Sequence, residues 1–260
     1  MLNKIFNENC LTTMRRIPDA SIDLILCDLP YGTTRNTWDS IIPLDALWVE
    51  YRRIIKPRGA IVLFAQCPFD KILGASNLPW LKYEWIWVKE KGTDILNSHH
   101  RPMKNHENIL VFSPAAAAHS AKDSGMKYFP QYRTGKAYVA SNCHARGKNY
   151  DYAHQRSVTV VNDGSHYMPL TVLHFKNDLG RKRIHPTQKP VDLLRYLIRT
   201  YTESGDVVLD NCMGSGSTIV AAIQEHRQYI GIELDKEFFD AASQRIEAEL
   251  QQPTFCFDES

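Results

Sequence analysis

Apolar residues in this chain gather into short runs near its two ends and thin out across its middle. Residues 22–27 form a nearly continuous apolar run that stops at Asp28-Leu29-Pro30-Tyr31-Gly32, which predicts a buried strand ended by a turn. Leu44, Leu47, Trp48, Tyr51, Ile54 and Ile55 recur at helical spacing, so a helix is expected over 44–55, closed by Lys56-Pro57-Arg58-Gly59. Residues 60–65 then read as a second buried strand, with further strands at 83–88 and 108–112. From 113 to 184 the periodicity fades. Order returns after Pro186, where Leu193, Leu194, Leu197 and Ile198 share one helical face. A strand at 206–210, a glycine turn at 214–218, a helix at 219–226, a strand at 229–233 and a helix at 236–250 follow. Strand–helix–strand units of this kind build parallel sheets, and a glycine-rich one usually opens a doubly wound domain. Here it closes the chain, so the order of parts is permuted.

The expected organisation is one discontinuous α/β domain, 1–112 with 185–260, carrying an insertion over 113–184. The chain has 260 residues, 43% of them hydrophobic, enough for a sizeable core. No apolar run approaches the roughly 20 residues that span a bilayer, so no membrane association is expected. The first residues lack a signal-peptide pattern, and the six cysteines lie apart with no Cys-x-x-Cys pair. That usage points to a reducing, cytoplasmic setting and away from disulfides or a zinc site, and Cys27 and Cys67 read as small buried residues.

The net charge of +2 hides an asymmetry. Residues 99–190 hold 14 basic and 5 acidic side chains, a net of +9, and the remaining 17 basic and 24 acidic residues give −7. Such a middle suits a polyanion, although a solvated basic face carries the same signature. Arg133, Lys136, Arg146, Lys148 and Arg156 lie among seven aromatic residues between Tyr128 and Tyr167, and Arg181-Lys182-Arg183 closes the segment. These cations are candidates for phosphate contacts, while several of the tyrosines would form the insertion's own core. His99 and His100 are adjacent and so point in different directions, which argues against a metal pair.

Two segments carry candidate chemistry. Gly214-Ser215-Gly216 lies between a strand and a helix, where backbone can approach a ligand closely. Asp210 precedes this turn, and Glu233 ends the next strand, where a carboxylate can accept from ribose hydroxyls. A dinucleotide would call for a third glycine, which is absent. The second segment is Asp28-Leu29-Pro30-Tyr31. Methylating a base amine requires its delocalised lone pair to be freed, which two hydrogen-bond acceptors achieve. Asp28 offers one, the carbonyl of Leu29 or Pro30 the other, and proline fixes the local φ. Tyr31 offers a flat face on which an extruded base can stack. Alone, the tetrapeptide is an ordinary turn; the glycine loop changes that reading.

Together these residues resemble the β class of DNA amino-methyltransferases over most of the chain outside 113–184. Asp28-Leu29-Pro30-Tyr31 is similar to the family's Asp/Asn/Ser-Pro-Pro-Tyr/Phe segment, with Leu29 in place of a proline. Residues 210–218 resemble its Asp-Pro-Phe-x-Gly-Ser-Gly-Thr-Thr loop, with Asn211 and Cys212 as departures. His185-Pro186-Thr187-Gln188-Lys189-Pro190 resembles the motif that holds the methionine end of the donor, and Asn9-Cys10-Leu11 stands where the family has Asp-Cys-Leu. Residues 106–112 resemble a strand lining the base pocket, with Ile109 and Val111 read as core.

The resemblance implies a Rossmann-like class I methyltransferase fold with circularly permuted motif order and a basic target-recognition insertion. It implies S-adenosylmethionine as cofactor, bound by Asn9, Asp28, Thr187, Lys189, Asp210, Gly214, Gly216, Thr218 and Glu233. It implies catalysis by Asp28, Pro30 and Tyr31, and double-stranded DNA as substrate, contacted by Arg133, Lys136, Arg146, Lys148, Arg181, Lys182 and Arg183. Adenine N6 is the expected target because adenine members usually begin the segment with Asp; cytosine N4, or a silent DNA-binding relative, are the alternatives. A homodimer and a restriction endonuclease partner are both compatible with such a protein. A cytosine-C5 mechanism is not expected, because Cys67-Pro68 reverses the required Pro-Cys order.

Overall fold

The computed structural model describes residues 1–32, 41–141, 159–176 and 188–251. In chain order the strands are β1 (Lys4–Asn7), β2 (Ile22–Asp28), β3 (Ile55–Ala65), β4 (Leu81–Thr93), β5 (Lys104–Phe112), β6 (Tyr138–Ser141), β7 (Thr159–Asn162), β8 (Val172–His174), β9 (Val207–Asp210) and β10 (Gln228–Glu233). The α-helices are α1 (Cys10–Met14), α2 (Leu44–Ile54), α3 (Phe69–Ser76), α4 (Val191–Tyr201), α5 (Ser217–Gln224) and α6 (Lys236–Leu250). Two compact units result: residues 1–129 with 171–260, and residues 130–170.

The larger unit is built on a sheet of order β1-β10-β9-β2-β3-β5-β4-β8. Pairing is parallel from β1 through β3 and antiparallel at β3–β5 and β5–β4, with β8 parallel to β4 at the far edge. This is the Rossmann-like α/β architecture expected. Both faces are covered, so the inner strands are apolar on both sides rather than alternating. Leu24, Leu26, Val62 and Phe64 face a core shared with α4, α5 and α6. Ile25, Cys27, Ile61 and Leu63 face a second core with α1, α2 and α3.

One element begins differently from the sequence expectation. The Lys56-Pro57-Arg58-Gly59 stretch lies inside β3, which starts directly where α2 ends. The turn-forming residues act as a bulge instead: pairing jumps from Ile22–Ile55 to Leu24–Ala60, so the proline never has to donate to the ladder. Gly59 sits there because a Cβ would come 2.8 Å from the Asp23 carbonyl oxygen. Helix α1, of five residues, falls below the length at which periodicity is legible.

The chain leaves the larger unit at Phe129, whose N–H bonds the Thr200 carbonyl at 2.8 Å, and returns at Thr171, whose carbonyl accepts from Ile86 N–H at 2.8 Å. The smaller unit pairs β6 with β7 and bridges Arg133 to Tyr167 in antiparallel fashion. Tyr167 packs over Gly135, where a Cβ would lie 2.6 Å from its ring. It thus serves that unit's core, as expected for some of these tyrosines.

Gly231, in the middle of β10, shows how tightly the sheet approaches the loop after β9: a Cβ there would meet Met213 Sδ at 2.6 Å and Ile5 at 2.9 Å. We expect Gly231→Ala to lower stability by about 1–3 kcal/mol through overpacking, measured as a shift in urea midpoint.

Candidate active site

Strand order reverses direction between β9 and β2. From β9 the chain crosses through α5 to β10 on one side, and from β2 through α2 to β3 on the other. The crevice outside the carboxyl ends of two such strands is where open α/β sheets bind ligands. Asp210 ends β9 and Asp28 ends β2, so both carboxylates emerge at that point, with Glu233 at the end of neighbouring β10.

Asp28 is held from two directions. Tyr31 donates its hydroxyl to Oδ1 at 2.5 Å, and Lys189 donates to Oδ2 at 2.5 Å. The Tyr31 ring stacks on Phe69 at a centroid distance of 5.4 Å. Leu29 is buried in the core beneath α2, which explains how leucine serves in a segment that elsewhere uses proline: packing, rather than ring rigidity, anchors the turn. The Lys189 ammonium is itself buried, over the Phe64 ring and 3.2 Å from Glu107 Oε2. Glu107 also accepts from Gln66 at 2.9 Å and is ion-paired with Lys89. Burial, then the Glu107 charge, raise the Asp28 carboxyl above its usual range despite Lys189. Glu107 is pushed up by burial as well, yet the Lys189 and Lys89 charges outweigh that and hold it below its usual range.

The glycine loop is shaped by backbone. Gly214 and Gly216 have φ of 48° and 74°, the left-handed region that L residues other than glycine avoid. Glu233 locks the loop in place, accepting from Gly214 N–H at 2.8 Å and from Asp235 N–H at 2.9 Å. Asp210 accepts from Cys212 N–H at 3.1 Å and from the Thr218 hydroxyl, and burial drives its carboxyl up to about 7. Asn9 caps α1, its side-chain oxygen accepting from Leu11 and Thr12 N–H. Beneath the loop Cys10 and Cys212 are in thiol contact, and burial pushes Cys27 up to about 12.

A family profile described as DNA methylase, covering N6-adenine and N4-cytosine methyltransferases, matches residues 22–244. The chain belongs to this DNA methylase family. Among curated relatives, the type II methyltransferase M.HpaI of Haemophilus parainfluenzae is 26% identical over 96% of this chain and 76% of its own length. The DNA adenine methyltransferase YhdJ of Escherichia coli K12 is 26% identical over 94% of this chain and 82% of its own. Among solved structures, an M1.HpyAVI–SAM complex aligns with a TM-score of 0.60 at 22% identity, covering 94% of this chain and 98% of that one. The cytosine-N4-specific PvuII DNA methyltransferase aligns at 0.63 with 14% identity, covering 96% and 91%. Those two likenesses concern the fold.

For this methylase, the structure brings Asp28, Tyr31, Lys189, Asp210, Gly214, Gly216, Thr218 and Glu233 to the carboxyl edge of adjoining strands, with Pro30 between the first two. Lys189 stands against the two carboxylates Asp28 and Glu107. Thr218 spends its hydroxyl on Asp210. Arg133 and Lys136 lie exposed on the smaller unit, Arg133 donating from Nε to the Met168 carbonyl at 3.1 Å. Thr187, Arg146, Lys148, Arg156, Arg181, Lys182 and Arg183 lie outside the described residues. Cys67, expected to be buried, is exposed, because it sits in the turn between β3 and α3 beyond the sheet's end. Ile109 and Val111 are core, as expected.

Glu107, Lys89 and Gln66 were not singled out by motif reasoning. A signal for Glu107 existed: on β5 it alternates in phase with Ile109 and Val111, so a strand there puts a carboxylate on the buried face.

The raised Asp210 carboxyl carries a sign. Its folded value near 7 exceeds the ordinary 3.8, so the native state keeps a proton that the unfolded chain releases. That contribution to stability is complete below the unfolded value and is lost as pH rises toward the folded one. In urea melts at about pH 5 and about pH 8, wild type should lose stability relative to Asp210→Asn across the interval.

Proposed function

We propose that this DNA methylase uses S-adenosylmethionine to methylate the N6 amine of adenine in double-stranded DNA, with Asp28 as the acceptor that readies the amine. The observation that carries this reading is the placement of Asp28 at the β9–β2 switch point, beside the glycine loop, with a carboxyl made more basic than usual.

The residues at hand fit the cofactor. Glu233 and Asp210, at the ends of adjacent strands, suit a ligand rich in hydroxyl and amine donors, and Gly214 and Gly216 let it approach the backbone. When bound, S-adenosylmethionine supplies an electrophilic methyl group on a sulfonium centre. Asp28 accepts one N–H of the target amine and the Leu29 or Pro30 carbonyl accepts the other, which draws the nitrogen lone pair out of the ring. Tyr31, braced by Phe69, presents a flat surface for the extruded base. As the new N–C bond forms, the donor's methyl–sulfur bond would break to leave a neutral thioether; the nitrogen sheds a proton, which Asp28 would receive.

Adenine is favoured by the aspartate that opens the segment and by the likeness to a relative named as a DNA adenine methyltransferase. The basic stretch over 99–190 supports a DNA substrate, with Arg133 and Lys136 as phosphate contacts.

Nucleoside mass spectrometry of duplex DNA incubated with the protein and donor should show N6-methyladenine. Methylation confined to cytosine, or absent, overturns the adenine reading. Asp28→Ala should abolish transfer while donor affinity, read by calorimetry, changes less than about threefold. Transfer at the wild-type rate would remove Asp28 from this role.

A further inference from the structure

We propose that Glu107 is a positioning residue for methyl transfer: by sharing the Lys189 ammonium with Asp28, it keeps Asp28 a strong acceptor for the target amine. The inference rests on the reading of Asp28 given above and concerns a residue that acts on Asp28 by its charge and through the shared Lys189.

The geometry has three parts. Lys189 is buried and lies between two carboxylates, 2.5 Å from Asp28 Oδ2 and 3.2 Å from Glu107 Oε2. Glu107 is buried too, and among the described residues its Oε2 is met by the Lys189 ammonium. Its other oxygen is held by Lys89 and by Gln66, which fixes the carboxylate opposite Lys189.

A buried ammonium with a single carboxylate neighbour forms a closed pair, and the carboxylate becomes a poor acceptor for anything else. A second carboxylate divides the attraction. The two acids then respond in opposite directions: Glu107, with Lys89 beside it as well, is held low, and Asp28 stays high although Lys189 lies closer to it, because burial and the Glu107 charge oppose the ammonium. Groups pushed apart in this way take separate tasks. Glu107 stays ionised and orients Lys189. Asp28 keeps the basicity that the amine requires, while Lys189 still favours its charged form.

The other charged or titratable groups acting on Asp28 are Tyr31, Cys27 on its own strand and Asp210 on β9. Lys89 on β4 acts through Glu107. None of these pairs directly with Lys189 in the described residues, so Glu107 is the group that divides its charge.

The test compares Glu107→Gln and Lys89→Met with wild type, measuring kcat against pH on duplex DNA, donor affinity and DNA affinity. Glu107→Gln removes a negative charge and leaves Lys189 wholly to Asp28. Its kcat should fall roughly tenfold, the acid limb of its profile should move to lower pH, and both affinities should stay near wild type. Lys89→Met removes the competing cation, draws Lys189 toward Glu107 and should move the acid limb to higher pH. Opposite shifts are a signature that a merely structural role would not produce. An unmoved acid limb in both variants overturns the proposal, as does a loss of donor affinity matching the loss of kcat. If Glu107→Gln does not fold, the Lys89→Met profile decides alone, and an unmoved limb there overturns the proposal. Absence of methylation by wild type would instead strike the underlying reading of Asp28.

Discussion

The parallel pairing of β2 with β9 is the constraint on which the remainder of the molecule depends. Leu24 lies opposite Val208 and Ile25 opposite Leu209, joining two parts of the chain separated by more than 180 residues. The Asp23 carboxylate reinforces the seam from its buried end. It accepts from Val207 N–H at 3.0 Å and pairs with Lys56 at 2.6 Å, tying β2, the β3 bulge and β9 to one group. Without this seam Asp28 and Asp210 would belong to separate halves. With it they sit at the mouth of one crevice, and a methyl donor and a methyl acceptor can be served by neighbouring strands.

Charge in that crevice is arranged by burial rather than by number. Asp28, Glu107, Lys89 and Lys189 balance as two acids and two bases, yet their environments differ enough to drive the acids apart. Asp210 accepts from N–H and hydroxyl donors, and burial drives it up to about 7. Glu233 occupies both oxygens with the backbone of its own loop, so it shapes the glycine turn before any ligand arrives. The same side chains therefore hold the fold and prepare the chemistry.

Much of this was legible from sequence where one residue type answers one local demand. Continuous apolar runs marked β2 and β9 because both faces of a parallel strand are covered, and glycine marked the left-handed positions 214 and 216. The Lys56-Pro57-Arg58-Gly59 stretch misled because turn-forming residues also make bulges, and only the pairing of β2 with β3 separates the two outcomes. The 160 residues between Asp28 and Lys189 concealed their pairing, since charge complementarity at that separation has no periodic trace. Glu107 was in view within its strand, but a motif is read as a string, and its meaning lay in which face of β5 it shared.

The excursion from Phe129 to Thr171 has a consequence of another kind. Both gateposts are fastened by backbone hydrogen bonds to the larger unit, one to the end of α4 and one to β4, and neither bond depends on side-chain identity. Among the described residues between them, Tyr167 is seated on Gly135 and β6 pairs with β7. Substitutions within the excursion leave both backbone bonds in place, so the larger unit keeps its points of exit and return. A lineage can thus vary the side chains of the excursion while inheriting its two attachments unchanged, as a tool keeps its handle when the bit is replaced.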